Sequence, residues 1–183
     1  MKLAGIDYSM TSPGMVIGDT NDHSKCMFYG IRQKKKQVSI APNVILFEPN
    51  DSYTCSEERY FILAQNFLQV ILLNEIKHVY IEGYSYGSTG NTFSIGENTA
   101  ILKFLLWQEG IQVSVLQPSE IKKFATEKGN ANKVAMTEAF ELKTGCRLDK
   151  LIDDERTIGK PIPAPVSDMI DAYWILQLGL SKE

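Results

Sequence analysis

The sequence predicts an α/β domain, a mixed five-stranded sheet flanked by helices. Three observations predict it. Short apolar runs separated by turn residues fill roughly the first quarter of the chain; the hydrophobic period then changes to that of a helix; and helices alternate with short apolar strands from there to the end. With 183 residues, 44% of them hydrophobic and 22% charged, the chain has the size and make-up of one globular domain over 1–183 with a substantial core.

Residues 2–8 read as a buried strand, Ser12-Pro13-Gly14 as a turn and residues 15–18 as a second strand. Residues 26–31 give a third strand and residues 44–47 a fourth short piece; the close spacing predicts an antiparallel meander, with Lys34-Lys35-Lys36 in or beside one of its loops. Over 52–76 the period becomes helical: Thr54 and Glu57 make a capping box, and Phe61, Ala64, Leu68, Ile71 and Leu72 recur on one face. Residues 79–81 form a short apolar strand that ends at Glu82. Residues 92–109 read as a helix with Ile95, Thr99, Leu102 and Leu106 on one side, and residues 111–116 as a strand. Pro118 suits a helix start, where its missing N–H would have no partner anyway; the helix over 119–126 breaks at Gly129-Asn130 and resumes near Asn132. Residues 144–165, with Gly159, Pro161, Pro163 and Pro165, read as a loop, and residues 166–180 as the final helix. This order implies three antiparallel and two parallel strands, with no repeat or linker dividing them.

Composition narrows the function classes. No apolar stretch is long enough to span a bilayer, and the N-terminus carries no signal-peptide pattern. Cys26, Cys55 and Cys146 are odd in number and far apart, which points to thiols in a reducing cytoplasm rather than a disulfide framework or a zinc site; His23 and His78 have no metal-ligand spacing. The net charge of -3 is not that of a basic nucleic-acid binder. A protein that concentrates carboxylates at its site can nevertheless be acidic overall and hold DNA through a local patch.

The acids carry the chemistry. Asp7 ends the first strand and Glu82 the crossover strand. With the first strand central and the crossover strand parallel beside it, both acids lie off the carboxyl ends of the sheet, where ligands bind in such folds. Asp168 and Asp171 are spaced i, i+3 on the last helix and share a face. Converging carboxylates repel one another, so the group makes sense around divalent cations, the chemistry of two-metal phosphodiester cleavage. Each acid has a blander reading: Asp7 capping a turn, Glu82 pairing with a surface lysine, Asp168 favoured by the helix dipole. None explains Asp171, one turn deeper beside Ala172 in an apolar stretch.

Gly5-Ile6-Asp7, Ile81-Glu82 and Asp168-Met169-Ile170-Asp171-Ala172 resemble the three acidic motifs of the RuvC-type Holliday junction resolvases, members of the ribonuclease H-like superfamily. Pro118-Ser119-Glu120-Ile121-Lys122-Lys123, followed by Lys128-Gly129-Asn130-Ala131-Asn132-Lys133, resembles the segment in which that family keeps two DNA-contacting lysines. Those roles fall on Lys122 and Lys133, with Lys123 and Lys128 beside them. Ile95-Gly96-Glu97-Asn98 is similar to the start of the family's helix after the second acid. The likeness runs through nearly the whole chain in order. It departs where bacterial members carry an aromatic wedge three residues after the strand-end glutamate: that position is Ser85, flanked by Tyr84 and Tyr86, which become the candidates for stacking on DNA. Residues 83–90 and 144–165 also differ, in a manner closer to divergent phage-encoded members with looser junction selectivity.

The resemblance implies a ribonuclease H-like fold and an endodeoxyribonuclease of DNA recombination and repair, cutting four-way and other branched junctions. Asp7, Glu82, Asp168 and Asp171 would hold two Mg²⁺ ions, replaceable by Mn²⁺, about 4 Å apart across the scissile phosphate. One ion would activate the attacking water and the other stabilise the leaving 3′ oxygen, with Asp7 bridging them. The resemblance further implies 5′-phosphate and 3′-hydroxyl products and a homodimer, because a four-way junction is two-fold symmetric and needs two matched cuts. The helix over 92–109, with Phe93, Phe104 and Trp107, is the candidate dimer face. The rival readings are a related nuclease for other nucleic acids, a non-catalytic junction-binding protein, and an actin-like phosphotransferase. The last requires a second, glycine-rich phosphate loop that is not evident in the sequence.

Overall fold

The computed structural model describes residues 1–19, 22–35, 37–49, 52–83, 92–152 and 161–183, and only the backbone of residues 22–24 and 92. One mixed sheet contains β1 (Lys2–Asp7), β2 (Gly14–Asp19), β3 (Asp22–Ile31), β4 (Val44–Phe47), β5 (His78–Glu82) and β6 (Gln112–Leu116), in the order β4-β3-β2-β1-β5-β6. The helices are α1 (Ser56–Leu73), α2 (Thr92–Gln108), α3 (Pro118–Thr126), α4 (Lys133–Thr144) and α5 (Val166–Leu180). No helix among the described residues is long and apolar enough to cross a membrane.

The α/β class is as expected, but among the described residues the sheet has six strands, not five. β1, β2 and β3 form the antiparallel meander. β4 does not continue it: it lies parallel to β3, with Phe28 opposite Val44 and Ile31 opposite Phe47. A parallel partner needs a crossover rather than a tight turn. Residues 32–43 supply it, held where the Phe28 N–H donates to the Asn43 carbonyl and the Ile40 N–H to the Leu151 carbonyl.

β1 is central, antiparallel to β2 on one side and parallel to β5 on the other. Alternate residues of the central strands feed two cores. Leu3 and Val16 pack on the α5 side, while Ala4, Ile6, Met15 and Ile17 pack on the side of α1 and α2. The inward face of α1 differs in part from the expected one. Ala64, Leu68 and Ile71 are buried together with Tyr60, Leu63 and Phe67, but Phe61 and Leu72 face solvent. Its start also differs: the Thr54 N–H and hydroxyl donate to Glu58 at 2.5 and 2.6 Å, in place of the expected pairing with Glu57. In residues 144–165, read from sequence as a loop, a short 3₁₀ helix spans Leu148–Ile152. Leu148 and Ile152 enter the α5-side core, and buried Asp149 is paired with Arg147 at 2.6 Å. The glycine and prolines of that segment signalled irregular chain; they gave no sign of these apolar anchors.

α5 is apolar nearly all round because it is covered on both sides, by the sheet below and by α3 and α4 above. Two glycines let its backbone lie directly on the strands. A Cβ on Gly5 would stand 2.4 Å from Leu176 N and 2.5 Å from the Ala172 carbonyl oxygen. A Cβ on Gly14 would stand 2.4 Å from both the carbonyl carbon and oxygen of Asp168. Gly14 is also the cross-strand partner of Asp7. The missing side chain therefore sets the first turn of α5 against the end of β1. Gly14→Ala should push α5 outward and cost about 1–3 kcal/mol, since neither backbone can yield cheaply. Chemical denaturation would show it as a lower midpoint at unchanged slope; an unaltered midpoint would mean that the contact is soft.

Candidate active site

Asp7 stands at the end of β1, and Glu82 at the end of β5, one residue past the paired Ile6 and Ile81. Asp168 and Asp171 occupy the first turns of α5, seated over this edge by the Gly14 contact. Carboxylate oxygens of Asp7, Asp168 and Asp171 all lie within 4.8 Å of one another. Glu82 lines the same cleft, which measures about 450 Å³ and also receives Ser9, Lys122, Asn132 and Lys133.

Two lysines reach the cleft from the α3–α4 pair. Glu127 ends α3 in the left-handed conformation (φ 64°), and Asn132 then caps α4 by accepting from the Ala135 N–H at 2.9 Å. This bend sets Lys133 as the first residue of α4. Its Nζ lies 3.1 Å from Asp168 Oδ1 and 3.8 Å from Asp171 Oδ2, and donates to Ser167 Oγ at 3.3 Å. The Ser167 hydroxyl in turn donates to Asp168 Oδ1 at 3.1 Å.

The acids are held in an unfavourable place. Burial raises the Asp7 carboxyl well above its ordinary range, with Asp171, Glu82 and Asp168 adding to the rise and Lys133 opposing it. Asp171 is pushed up to about 7, first by burial; Lys133 and Lys122 oppose the shift, while Glu82 and Asp168 reinforce it. Burial also raises Glu82, against Lys122 and Lys133. For Lys133 burial works downward, but Asp168 and Asp171, with Asp7, outweigh it and the ammonium is stabilised. Ionised together, four carboxylates face two ammonium groups and leave a net negative cleft. The carboxylate oxygens are hard donors, and among the described residues no cysteine or histidine lines the cleft. This donor set suits a hard divalent cation rather than a thiophilic metal.

A raised aspartate pKa binds more protons in the folded state than in the unfolded one, so its contribution to stability falls as pH climbs from the unfolded value towards the folded one. For Asp171 that window runs from the ordinary value of 3.8 to about 7. In excess chelator, the melting temperature of Asp171→Asn should gain on that of the parent as pH is taken from 5 to 8. A constant difference across that range would show that the carboxylate is not strained.

Sequence-predicted positions thus separate. Asp7, Glu82, Asp168, Asp171, Lys122 and Lys133 meet in one cleft, whereas Lys123 and Lys128 are exposed and do not line it. Lys34 and Lys35 are exposed on the stretch after β3. Lys36, Tyr84, Ser85 and Tyr86 lie outside the described residues. Ser167 escaped the sequence reading; its only signal was its place directly before Asp168. On α2, Phe93, Phe104 and Trp107 are exposed, and the rings of Phe104 and Trp107 lie 5.9 Å apart.

No protein-family model matches the sequence, and no curated protein matches it. Solved structures do match in fold. RuvC of Thermus thermophilus, in complex with a Holliday junction substrate, aligns over 98% of this chain and 97% of its own, with a TM-score of 0.64 and 15% identity. The yeast mitochondrial Holliday junction resolvase aligns over 98% of this chain and 80% of its own, with a TM-score of 0.54 and 14% identity. The fowlpox virus Holliday junction resolvase aligns over 100% of both chains, with a TM-score of 0.51 and 10% identity. The chain has the ribonuclease H-like fold of these resolvases, as the motif resemblance implies.

Proposed function

We propose that this protein is a divalent-metal-dependent endonuclease that cuts four-way and other branched DNA by phosphodiester hydrolysis. The observation that carries the proposal is the convergence of Asp7, Asp168 and Asp171 within 4.8 Å, in a cleft shared with Glu82 and two lysines. That convergence occurs on a fold whose structural counterparts include a resolvase in complex with a Holliday junction. Fold alone does not define an activity; the constellation of side chains supports it.

Asp7, Glu82, Asp168 and Asp171 would hold Mg²⁺. When bound, the metal supplies a water of lowered pKa and charge stabilisation at the scissile phosphate. The protein's own part is placement. Asp7 is delivered by the central strand and Asp168 by a helix locked onto Gly14, while Ser167 fixes the carboxylate of Asp168 by donating to it. Lys122 and Lys133 bring positive charge to a cleft that would otherwise repel a phosphodiester. The exposed aromatics of α2 fit a second copy of this chain, so that two clefts meet one two-fold symmetric junction.

Incubation with end-labelled four-way junction, fork and linear duplex in Mg²⁺ tests the reading. Paired nicks at the branch point with 5′-phosphate ends are expected, and linear duplex should survive. Equal cutting of all three would move the protein to a nuclease of broader substrate range; junction binding without cutting would make it a binding protein. Lys122→Ala should also reduce the slope of log binding constant against log salt by roughly one unit, as the loss of one phosphate contact requires. An unchanged slope would take DNA away from α3.

A further inference from the structure

The cleft proposed to take a divalent ion already holds a cation of the chain's own. The Lys133 ammonium contacts Asp168 Oδ1 at 3.1 Å, Asp171 Oδ2 at 3.8 Å and Ser167 Oγ at 3.3 Å. Asp168 and Asp171 are two of the three aspartates whose oxygens cluster within 4.8 Å. Lys122 lines the same cleft but makes no such ion pair among the described residues. Thus the two lysines contribute equal charge, and of the two Lys133 is the one ion-paired to Asp168 and Asp171 among the described residues. The Lys133 side chain is 52% exposed, anchored on the capped first turn of α4 with a flexible four-carbon stem. Its ammonium can leave the aspartates without moving the helix.

We infer that Lys133 is the internal counterion of the metal-free site and a direct competitor of the divalent ion. This rests on the metal-site reading given above. Without metal, the ammonium holds Asp168 and Asp171 together against their mutual repulsion. An ion that binds these aspartates must displace it, because an ammonium and a divalent cation cannot share the same oxygens without strong repulsion. The displaced ammonium swings to the mouth of the cleft, where it is placed to meet a phosphate. Lys133 therefore raises the ion concentration needed to load the site, and an approaching phosphate, by drawing the ammonium away, lowers it again. Binding of metal and of DNA are coupled through one side chain, in both directions.

The test is a Mn²⁺ titration of the full chain without DNA, at fixed ionic strength, followed by the electron paramagnetic resonance signal of the free ion. Lys133→Met should bind Mn²⁺ about tenfold more tightly than the parent, a coupling of ordinary size between two ligands of one site. Lys133→Arg keeps the charge and should stay near the parent. Lys122→Met removes the same charge from the same cleft without removing an ion pair, and should gain clearly less. Lys133→Gln repeats the measurement should the methionine variant fold poorly, with thermal melting as the check. An unchanged affinity in both neutral variants would overturn the competition while leaving the metal site standing. So would a gain that matches that of Lys122→Met, which would reduce Lys133 to a distant charge. Absence of Mn²⁺ binding in every protein would remove the metal-site reading, and this inference with it.

Discussion

Asp7→Asn should lower junction cleavage by roughly 10²-fold or more while leaving junction binding intact or tighter. Asp7 is the acid on which the other three act together: Asp171, Glu82 and Asp168 all push its carboxyl upward, after burial, and it ends the central strand. Asparagine keeps the shape and one oxygen but gives up the negative charge that would hold a divalent ion. The metal's charge stabilisation at the phosphate is worth several kcal/mol, and each 1.4 kcal/mol of it is about a factor of ten in rate. Binding should move the other way, because on the proposed reading one of the four carboxylates lining the cleft that would meet the DNA phosphate is neutralised. Glu82→Gln should behave similarly, since Glu82 lines the same cleft. Single-turnover cleavage beside gel-shift binding measures both halves. A cleavage rate near that of the parent in either variant would mean that the assigned site is wrong, and a parallel loss of binding would mean that the fold was damaged.

Chelation should have the largest effect of all. In excess EDTA, cutting of a four-way junction should fall to background, and Mg²⁺ or Mn²⁺ should restore it. The reason lies in the donor set: four carboxylates and two ammonium groups, with no nucleophilic cysteine or histidine among the described residues of the cleft. Ionised together, these carboxylates repel one another, and a divalent ion would relieve that repulsion. Adding divalent ion to the metal-free protein should also raise its melting temperature, because an ion that binds only the folded state stabilises it by mass action. Cleavage that survives excess chelator would falsify the metal-dependent mechanism outright. A melting temperature insensitive to Mg²⁺ and Mn²⁺, together with chelator-resistant cleavage, would place the chemistry outside this cleft.

Local pattern was enough for much of this protein. The meander of β1 to β3, the crossover strand ending at Glu82, the proline-led start of α3 and the whole of α5 are legible because each depends on near neighbours in the chain: hydrophobic period, turn residues, a cap. The four acids were legible for a related reason. Strand ends and an i, i+3 pair are positions that sequence reports directly, and their order matches a known set of motifs.

Tertiary packing decided the rest. The direction of β4 depended on where residues 32–43 cross, and nothing in its four residues encodes a parallel partner. The burial of Leu148, Asp149 and Ile152 depended on α5 and its neighbours being there to cover them. Which lysines belong to the site was likewise undecidable from spacing, since Lys122, Lys123, Lys128 and Lys133 share one charge and one short segment. Only the bend at Glu127 and the cap at Asn132 turn Lys133 inward and leave Lys123 and Lys128 in solvent. The sequence by itself determined which acids stand at the strand ends and on the last helix, and the elements that carry them. Their convergence was decided in three dimensions: two glycines without side chains let a helix backbone rest on the central strands, and that close approach brings carboxylates far apart in the chain within reach of one ion.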